Sequence, residues 1–163
     1  MIKFLVMDVD GTLTDGKIYM SENGEAFKVF DIKDGYGIKD ILPKYGIIPV
    51  VITARESGIL ERRCRELGII DLYQNTHNKL EMLDDVIKKY SQICGEELSY
   101  KNVAYIGDDI LDLQCMLPVR ESGGIIGCPA DAAKEVCEIS DFVSAKKGGD
   151  GAVREFIGFL IEN

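Results

Sequence analysis

Residues 2–12 read Ile-Lys-Phe-Leu-Val-Met-Asp-Val-Asp-Gly-Thr, a short apolar segment that ends at a pair of carboxylates. The length and composition of Ile2–Met7 predict a buried β-strand. Side chains alternate along a strand, so Asp8 and Asp10 are expected to point the same way, with only Val9 between them. Two carboxylates placed like this repel each other unless a cation neutralises them or one keeps a proton. The alternative is a plain turn, because Asp, Gly and Thr are common turn residues.

The rest of the chain alternates apolar runs with amphipathic stretches. Further buried strands are predicted at Ile47–Ile52, Val103–Ile106, Gly124–Ile126 and Phe142–Val143. Apolar residues at helical spacing predict helices at Gly37–Lys44, Ser57–Leu67, Lys79–Tyr90, Ile110–Leu117, Ala130–Val136 and Ala152–Ile161. Strands that alternate with helices indicate an α/β fold with a doubly wound parallel sheet and right-handed crossovers. Since no linker or repeat divides the chain, we expect residues 1–163 to form one domain.

Residues 16–31 interrupt this alternation. Lys17–Met20 and Ala26–Phe30 have the composition of strands, and they flank a turn that contains Asn23-Gly24. We therefore predict a β-hairpin inserted after the first strand. A lone two-stranded hairpin is marginal in water, so its apolar side chains need a partner. Another subunit is the obvious candidate, and the chain is expected to be an oligomer.

Charge and cysteine content exclude several classes of protein. The net charge of −9 argues against a nucleic-acid partner, although a small anion could still bind at a local cation or metal. The N-terminal segment turns acidic after a few apolar residues, so neither a signal peptide nor a membrane anchor is expected. Five cysteines, an odd number without a Cys-x-x-Cys pair, indicate reduced thiols and a cytoplasmic protein.

A second group of acids follows the strand Val103–Ile106. Asp108 comes at the end of that strand, and Asp109 and Asp112 follow it. Asp109 and Asp112 could simply stabilise the start of the next helix. However, ligand sites of open α/β sheets lie beyond the carboxyl ends of the strands. Two strands that deliver carboxylates to one edge predict a site for a hard cation such as Mg²⁺.

Three more polar residues are candidates for this site. The Thr53 hydroxyl, at the end of a strand, could bind a phosphoryl oxygen, but helix N-caps look identical in sequence. Lys79 begins a helix, where the helix dipole disfavours a cation, so an anion nearby would explain it. His77, the sole histidine, could be a base, but loop histidines are usually just solvated.

These motifs occur in the order and spacing of the haloacid dehalogenase (HAD) superfamily. They are Asp8-x-Asp10-Gly11-Thr12, Thr53, Lys79 and Gly107-Asp108-Asp109-x-x-Asp112. Over nearly its whole length the chain resembles the 3-deoxy-D-manno-octulosonate 8-phosphate (KDO 8-phosphate) phosphatases. The segments that carry this closer resemblance are residues 30–38, 53–55, 72–74, 78–80 and 149–155.

The resemblance implies an architecture and a reaction. It implies a HAD-like, Rossmannoid fold with a small β-hairpin flap and no large cap domain. It also implies a homotetramer whose hairpins form a central barrel, and a sugar-acid phosphate as substrate. Hydrolysis would proceed through an aspartyl-phosphate intermediate.

The resemblance also assigns roles to individual residues. Asp8 would be the nucleophile, and Asp10 would protonate the leaving oxygen and then activate water. Mg²⁺ would be held by Asp8, the main-chain carbonyl of Asp10, and Asp108. The remaining roles are support of the metal shell and of Lys79 by Asp109 and Asp112, and binding of phosphoryl oxygens by Thr53 and Lys79.

Substrate choice depends on two arginines. Arg55 and Arg63 could be offered across a subunit interface to a substrate carboxylate, which arginine binds well in a bidentate manner. The alternative is that Arg62, Arg63 and Arg65 form a solvated basic face of their helix. The chain departs from the family pattern at Ala54, where glycine is usual, and in its short C-terminal tail.

Three alternative functions remain open from the sequence. A phosphatase for a sialic-acid-like nonulosonate 9-phosphate could use the same scaffold, but that group carries Glu where this chain has Arg55. A non-catalytic, oligomer-forming relative of domains in sugar-nucleotide synthetases would lack the catalytic acids that are present here. A Ca²⁺-binding module is disfavoured because no EF-hand spacing occurs.

Overall fold

The computed structural model describes residues 1–162 and contains a six-stranded parallel sheet; Asn163, the last residue of the predicted domain, lies outside the described residues. The order of the strands is β5-β4-β1-β6-β7-β8. Their bounds are β1 Phe4–Met7, β4 Ile48–Ile52, β5 Asp71–Tyr73, β6 Val103–Ile106, β7 Ile125–Cys128 and β8 Phe142–Val143. The doubly wound parallel sheet predicted from the sequence is thus confirmed.

The central position of β1 decides where a site can form. Its four residues are completely buried, and Met7 is paired with Val51 on one side and with Ile106 on the other. The chain winds outward through β4 and β5 in one direction and through β6, β7 and β8 in the other. Ligands of such sheets bind where the winding reverses, beyond the carboxyl ends of the strands. In this fold that point lies at the end of β1.

Helices cover both faces of the sheet. They are α1 Ile32–Tyr36, α2 Gly58–Leu67, α3 Lys79–Cys94, α4 Leu113–Glu121, α5 Lys134–Ile139 and α6 Ala152–Glu162. One buried cluster joins the sheet to α2 and α6 through residues such as Leu60 and Phe156. The other joins it to α3, α4 and α5 through Leu83, Met116 and Val136. None of the helices among residues 1–162 is long and apolar enough to cross a membrane.

The predicted hairpin is present as a separate two-stranded sheet. It consists of β2, Tyr19–Ser21, and β3, Gly24–Phe27, shorter than the predicted strands. The rings of Tyr19 and Phe27 stack at 4.5 Å between centroids. Met20 and Phe27 are nevertheless 64% and 51% exposed. The hairpin therefore presents apolar side chains that its own chain leaves uncovered.

Several predicted boundaries are wrong. The helix predicted at Gly37–Lys44 begins earlier, as α1, and continues as a π-helical turn, Gly37–Ile41, and a 3₁₀ turn, Leu42–Tyr45. Asp31 caps α1 by accepting hydrogen bonds from two main-chain N–H groups. The Arg63 guanidinium packs closely against Gly35, since a Cβ built there would lie 2.4 Å from it. The helix forms here despite the poor helix propensity of glycine.

Two further differences concern segments close to the sheet edge. The strand β5, which pairs with β4, was not predicted because three residues are too few to show a periodicity. The helix predicted at Ala130–Val136 begins only at Lys134. The Ala133 N–H instead donates to the main-chain carbonyl of Asp108 at 2.7 Å, so the segment before α5 supports the acidic loop.

Candidate active site

The ends of three adjacent strands bring the main polar residues together. Asp8 follows β1, Thr53 follows β4, and Asp108 follows β6 after one glycine. The strands are parallel and in register at these positions, so all three residues lie at the same edge of the sheet. The main-chain N–H of Asp8 donates to Ile106, which fixes the loop start against β6. The sequence prediction that two strands deliver acids to one edge agrees with this arrangement.

The turn after Asp8 brings the two acidic loops into contact. Main-chain N–H groups of residues 12, 13 and 14 all donate to the carbonyl of Val9. Gly11 has φ +98°, and a Cβ built there would lie 2.0 Å from a carboxylate oxygen of Asp108. Only glycine tolerates both the positive φ and this close approach. The Thr12 hydroxyl donates to Asp108 at 3.0 Å and holds that carboxylate beside the turn.

Lys79 is the buried cation of the site. Its side chain reaches from the first residue of α3, and its Nζ donates to Asp8 and to Asp112, each at 2.7 Å. The residue is 1% exposed. Carboxylates on both sides thus explain why a lysine occupies the start of a helix.

Asp112 links the two acidic loops to the core. Its Oδ1 accepts from Lys79 and from the Tyr105 hydroxyl, and its Oδ2 accepts from the main-chain N–H groups of Asp108 and Asp109. Asp109, in contrast, is exposed and caps the 3₁₀ turn Ile110–Asp112. Of the two residues predicted to orient Lys79, Asp112 is the one that contacts it.

Crowding of acids shifts the protonation equilibria. Burial and the charge of Asp112 raise the pKa of Asp8 to about 6, although Lys79 acts in the opposite direction. Burial, together with the charges of Asp8 and Asp112, raises the pKa of Asp108 to about 8. Burial lowers the pKa of Lys79, but the charges of Asp8 and Asp112 outweigh this effect and leave it raised. When ionised, Asp8, Asp108 and Asp112 together carry more negative charge than Lys79 neutralises.

The donor set fits a divalent cation. Carboxylate oxygens of Asp8, Asp108 and Asp112 all lie within 4.8 Å of one another. These are hard oxygen ligands of the kind that Mg²⁺ prefers, and a cation between them would relieve their repulsion. The predicted contribution of Asp10 is a main-chain carbonyl, which is a separate type of ligand.

Asp8, Asp10, Asp112 and Lys79 line a cleft of about 140 Å³. Its lining also includes Thr53, Ala54 and Arg55 from the loop after β4, and Asp109 and Leu111 from the loop after β6. Thr53 is fixed by two main-chain hydrogen bonds, its N–H donating to Tyr73 and its carbonyl accepting from Thr76. This volume can accept a phosphoryl group directly in front of Asp8.

Arg55 and two residues that were not predicted from the sequence, Glu25 and Lys28, surround Asp10. Lys28 donates to Asp10 at 2.6 Å and also pairs with Glu25 at 3.0 Å. Arg55 lies 3.8 Å from the other oxygen of Asp10 and 4.0 Å from Glu25. Glu25 and Lys28 belong to the hairpin segment, so that segment packs on the site of its own chain. The sequence offered one signal, because Glu25 and Lys28 carry opposite charges and lie three residues apart in the hairpin segment.

Two residues considered from the sequence, Arg63 and His77, do not line the cleft. Arg63 is directed away from the cleft of its own chain; its guanidinium packs over the Phe30 ring and pairs with Glu66 at 3.4 Å. Its Nε is buried, so the residue is not part of a freely solvated face. His77 is exposed and does not line the cleft, in line with the view of it as a solvated loop residue.

Sequence comparison identifies the family. No protein-family model matches the chain. The chain is 41% identical over 160 residues to the 3-deoxy-D-manno-octulosonate 8-phosphate phosphatase KdsC of Salmonella typhi, covering 98% of this chain and 79% of that enzyme. The chain belongs to the family of KDO 8-phosphate phosphatases. The family resemblance seen in the motifs is thereby confirmed, and with it the class of HAD-type phosphoric monoester hydrolase.

Solved structures of KDO 8-phosphate phosphatases share the fold. The enzyme of Yersinia pestis superposes with a TM-score of 0.89 at 37% identity, covering 99% of this chain and 81% of that one. The enzyme of Moraxella catarrhalis, solved with a magnesium ion, a phosphate ion and a KDO molecule, superposes with a TM-score of 0.83 at 37% identity. That superposition covers 99% of this chain and 86% of the Moraxella catarrhalis enzyme. The HAD-like fold is thus confirmed.

Proposed function

We propose that this protein is a Mg²⁺-dependent phosphatase that hydrolyses KDO 8-phosphate through an aspartyl-phosphate on Asp8. The observation that carries the proposal is the buried Lys79, which donates hydrogen bonds to both Asp8 and Asp112. A carboxylate oxygen of Asp108 also lies close enough to those of Asp8 and Asp112 for one metal ion to bind all three. A non-catalytic relative would have no reason to keep a buried lysine between two carboxylates at the floor of a cleft. The alternative of a purely structural domain is therefore disfavoured.

The proposed reaction uses the residues of the cleft in two steps. A carboxylate oxygen of Asp8 attacks phosphorus while the bond to the sugar oxygen breaks, and Asp10 gives its proton to that oxygen. Asp10 then takes a proton from the water that hydrolyses the acyl phosphate, which frees Asp8 and releases phosphate. Thr53 and Lys79 bind the equatorial phosphoryl oxygens, where the charge of the transition state is spread.

The metal would be bound at the acidic edge. Asp8, Asp108 and the main-chain carbonyl of Asp10 would hold Mg²⁺, with Asp112 and Asp109 supporting them from behind. When bound, Mg²⁺ neutralises charge between the nucleophile and the phosphate. A cation at this place favours the ionised form of Asp8, whose pKa of about 6 otherwise lies close to neutrality.

The substrate is proposed from the family and from Arg55. KDO 8-phosphate is the substrate named for relatives that are 41% identical. Arg55 lines the cleft with 43% of its side chain exposed, so it can reach a substrate carboxylate beyond the phosphate. Arg63 is proposed only as a residue offered to a neighbouring subunit. A nonulosonate 9-phosphate is the competing substrate.

We extend the proposal to a homotetramer in the cytoplasm. The exposed apolar side chains of the hairpin supply a surface for association between subunits. The five cysteines are free thiols, as a reducing compartment would keep them.

Phosphate release tests the proposal. KDO 8-phosphate should be compared with a nonulosonate 9-phosphate and with simple sugar phosphates, each with Mg²⁺ and with EDTA. We expect metal-dependent release with a strong preference for KDO 8-phosphate. Metal-dependent but indiscriminate release would retain the reaction and reject the substrate, whereas no release from any ester would reject the reaction itself.

A further inference from the structure

The hairpin segment reaches into the active site through one buried lysine. Lys28 follows β3, and its side chain is only 3% exposed, while Asp10 beneath it is 20% exposed. Lys28 Nζ donates to Oδ1 of Asp10 at 2.6 Å. An ammonium group that loses its hydration needs anionic partners, and Lys28 has two, Asp10 and Glu25. One of these partners lies two residues after Asp8, which distinguishes Lys28 from an ordinary surface lysine.

Glu25 holds Lys28 in place from the opposite side. Its Oε1 lies 3.0 Å from Lys28 Nζ, and its Oε2 accepts from the Ser57 hydroxyl at 2.5 Å. Ser57 is fixed in turn, because it caps α2 and its N–H donates to the Gln74 side chain at 2.8 Å. The lysine is therefore tied to the rigid α/β core, although it is part of a two-stranded hairpin.

The two oxygens of Asp10 have different surroundings. Oδ1 is occupied by Lys28, whereas Oδ2 has Arg55 as its neighbour at 3.8 Å, beyond direct hydrogen-bond distance. A carboxyl group that exchanges a proton needs one oxygen free and the other fixed. This asymmetry leaves Oδ2 as the oxygen that can face the leaving group.

We propose that Lys28, held by Glu25 and Ser57, is a positioning residue that fixes the Asp10 carboxylate by Oδ1 and leaves Oδ2 to exchange the proton with the sugar oxygen. The inference rests on the proposed phosphatase reaction and adds to it the residues that orient its acid. In the step concerned, the bond from phosphorus to Asp8 forms and the bond to the sugar oxygen breaks. The proton moves from Asp10 Oδ2 to that oxygen, which leaves as a neutral hydroxyl.

The proposed role of Lys28 predicts that its loss affects alkyl and aryl phosphates differently. A sugar alkoxide is a poor leaving group and needs its proton as the bond breaks, whereas p-nitrophenolate leaves without one. Positioned general acids contribute about 10²- to 10⁴-fold to such steps. Loss of Lys28 should therefore damage the hydrolysis of alkyl phosphates more than that of aryl phosphates. A lysine that only kept the hairpin folded, or only bound phosphate, would affect both esters equally.

The test compares kcat/KM values for KDO 8-phosphate and p-nitrophenyl phosphate. This parameter covers the steps through departure of the leaving group, so the later hydrolysis of the acyl phosphate does not enter. We expect Lys28→Met to lower kcat/KM for the sugar phosphate at least about tenfold more than for the aryl phosphate. Lys28→Arg should recover part of this difference. The control is Lys17→Met, which removes an exposed lysine from the same insertion and should leave the ratio unchanged.

A second measurement does not depend on turnover. Crystal structures of the metal-free wild type and of Lys28→Met should show the Asp10 carboxylate in one orientation in the first and displaced or disordered in the second. An equal fall in kcat/KM for both esters, or an Asp10 that keeps its orientation without Lys28, would overturn the inference. If the wild type hydrolysed no ester, the proposed function would fail while the crystal structures still decided the positioning role.

Discussion

Asp8 occupies the most crowded electrostatic position of the molecule. It is 8% exposed, its charge is opposed by Asp108 and Asp112, and Lys79 is its direct cationic partner. Asparagine has nearly the same shape as aspartate but is a far weaker nucleophile. Replacement of Asp8 therefore separates the chemistry of the site from its stability.

Asp8→Asn should reduce phosphate release by at least about 10⁴-fold, as expected for loss of a nucleophile. Its thermal unfolding midpoint should stay the same or rise, because one of three mutually repelling carboxylates is removed. Phosphate release and thermal unfolding can be measured on the same preparation. Asp85→Asn, at an exposed position of α3, is the matched control. Substantial activity in Asp8→Asn would mean that the nucleophile is a different residue.

The sequence predicted the residues of the site that lie at strand ends, and missed those that depend on the hairpin. Asp8, Thr53 and Asp108 could be placed together because parallel strands share one carboxyl edge. Lys28 and Ser57 could not, because their contact with the site requires knowing which way the hairpin folds. The apolar side chains of the hairpin predicted a contact with another subunit, and its charged side chains predicted none. In the structure Lys28 contacts Asp10, and Glu25 contacts Lys28.

The helices α1 and α6 are joined by one buried carboxylate. Asp34 is 2% exposed, and its Oδ1 accepts from the Arg154 N–H at 2.7 Å. Its Oδ2 is buried without a hydrogen-bond partner among residues 1–162, and Asp34 and Arg63 both line a small cavity. Burial, with smaller contributions from Asp31 and Asp150, raises the pKa of Asp34 to about 6. The fold thus favours the protonated form of this residue.

This raised pKa predicts a pH dependence of stability. The folded protein binds a proton at Asp34 more tightly than the unfolded chain, whose Asp has a pKa near 3.8. The contribution of Asp34 to stability is therefore greatest below about pH 4 and is lost as the pH rises through about 6. The pKa difference corresponds to at most roughly 3 kcal/mol.

Asp34→Asn should remove the loss of stability that Asp34 causes as the pH rises. Asparagine can still accept from the Arg154 N–H, and any cost of its buried amide does not change with pH. Urea unfolding at about pH 4.5 and about pH 7.5 should show that the stability of the variant relative to wild type increases with pH. Asp40→Asn, at an exposed position in the following turn, serves as the control. A difference between variant and wild type that is independent of pH would contradict the assignment.

Elements were predictable where periodicity is long, and unpredictable where packing sets the boundary. The helix α3 carries enough apolar positions to be found, although it extends to Cys94. In contrast, α1 contains Gly35, a poor helix former, and this helix was predicted to begin only at Gly37. Side chains from distant parts of the chain pack closely against both glycines, since a Cβ at Gly35 would lie 2.4 Å from Arg63 and one at Gly37 would lie 2.9 Å from Ile157. Such contacts are not visible in a local pattern.

The hairpin is the part of the protein that favours an oligomer. Met20 and Phe27 stay mostly exposed among the described residues, while Glu25 and Lys28 occupy the side of the segment that faces the site. The proposed tetramer would bury Met20, which is 64% exposed. A charge at this position should then be incompatible with association.

Light scattering should give a mass near four chains for the wild type, and a smaller assembly for Met20→Glu. The matched control is Ile70→Glu, which places the same charge at an 88% exposed isoleucine before β5. That variant should retain the wild-type mass. A wild-type protein that runs as a monomer would contradict the tetramer and the proposed role of Arg63 at a neighbouring site.

The turn after Asp8 is closed by residues from a distant part of the chain. A Cβ at Gly148 would lie 1.9 Å from the carbonyl oxygen of Gly11, and the Gly149 N–H donates to the carbonyl of Thr12 at 3.1 Å. Asp8 and Asp10 come directly after β1, whereas the glycines that brace their loop follow β8. During synthesis the loop that carries these two acids therefore lacks that support until β8 and the glycines after it have been made, so the loop is completed later than the strand that precedes it.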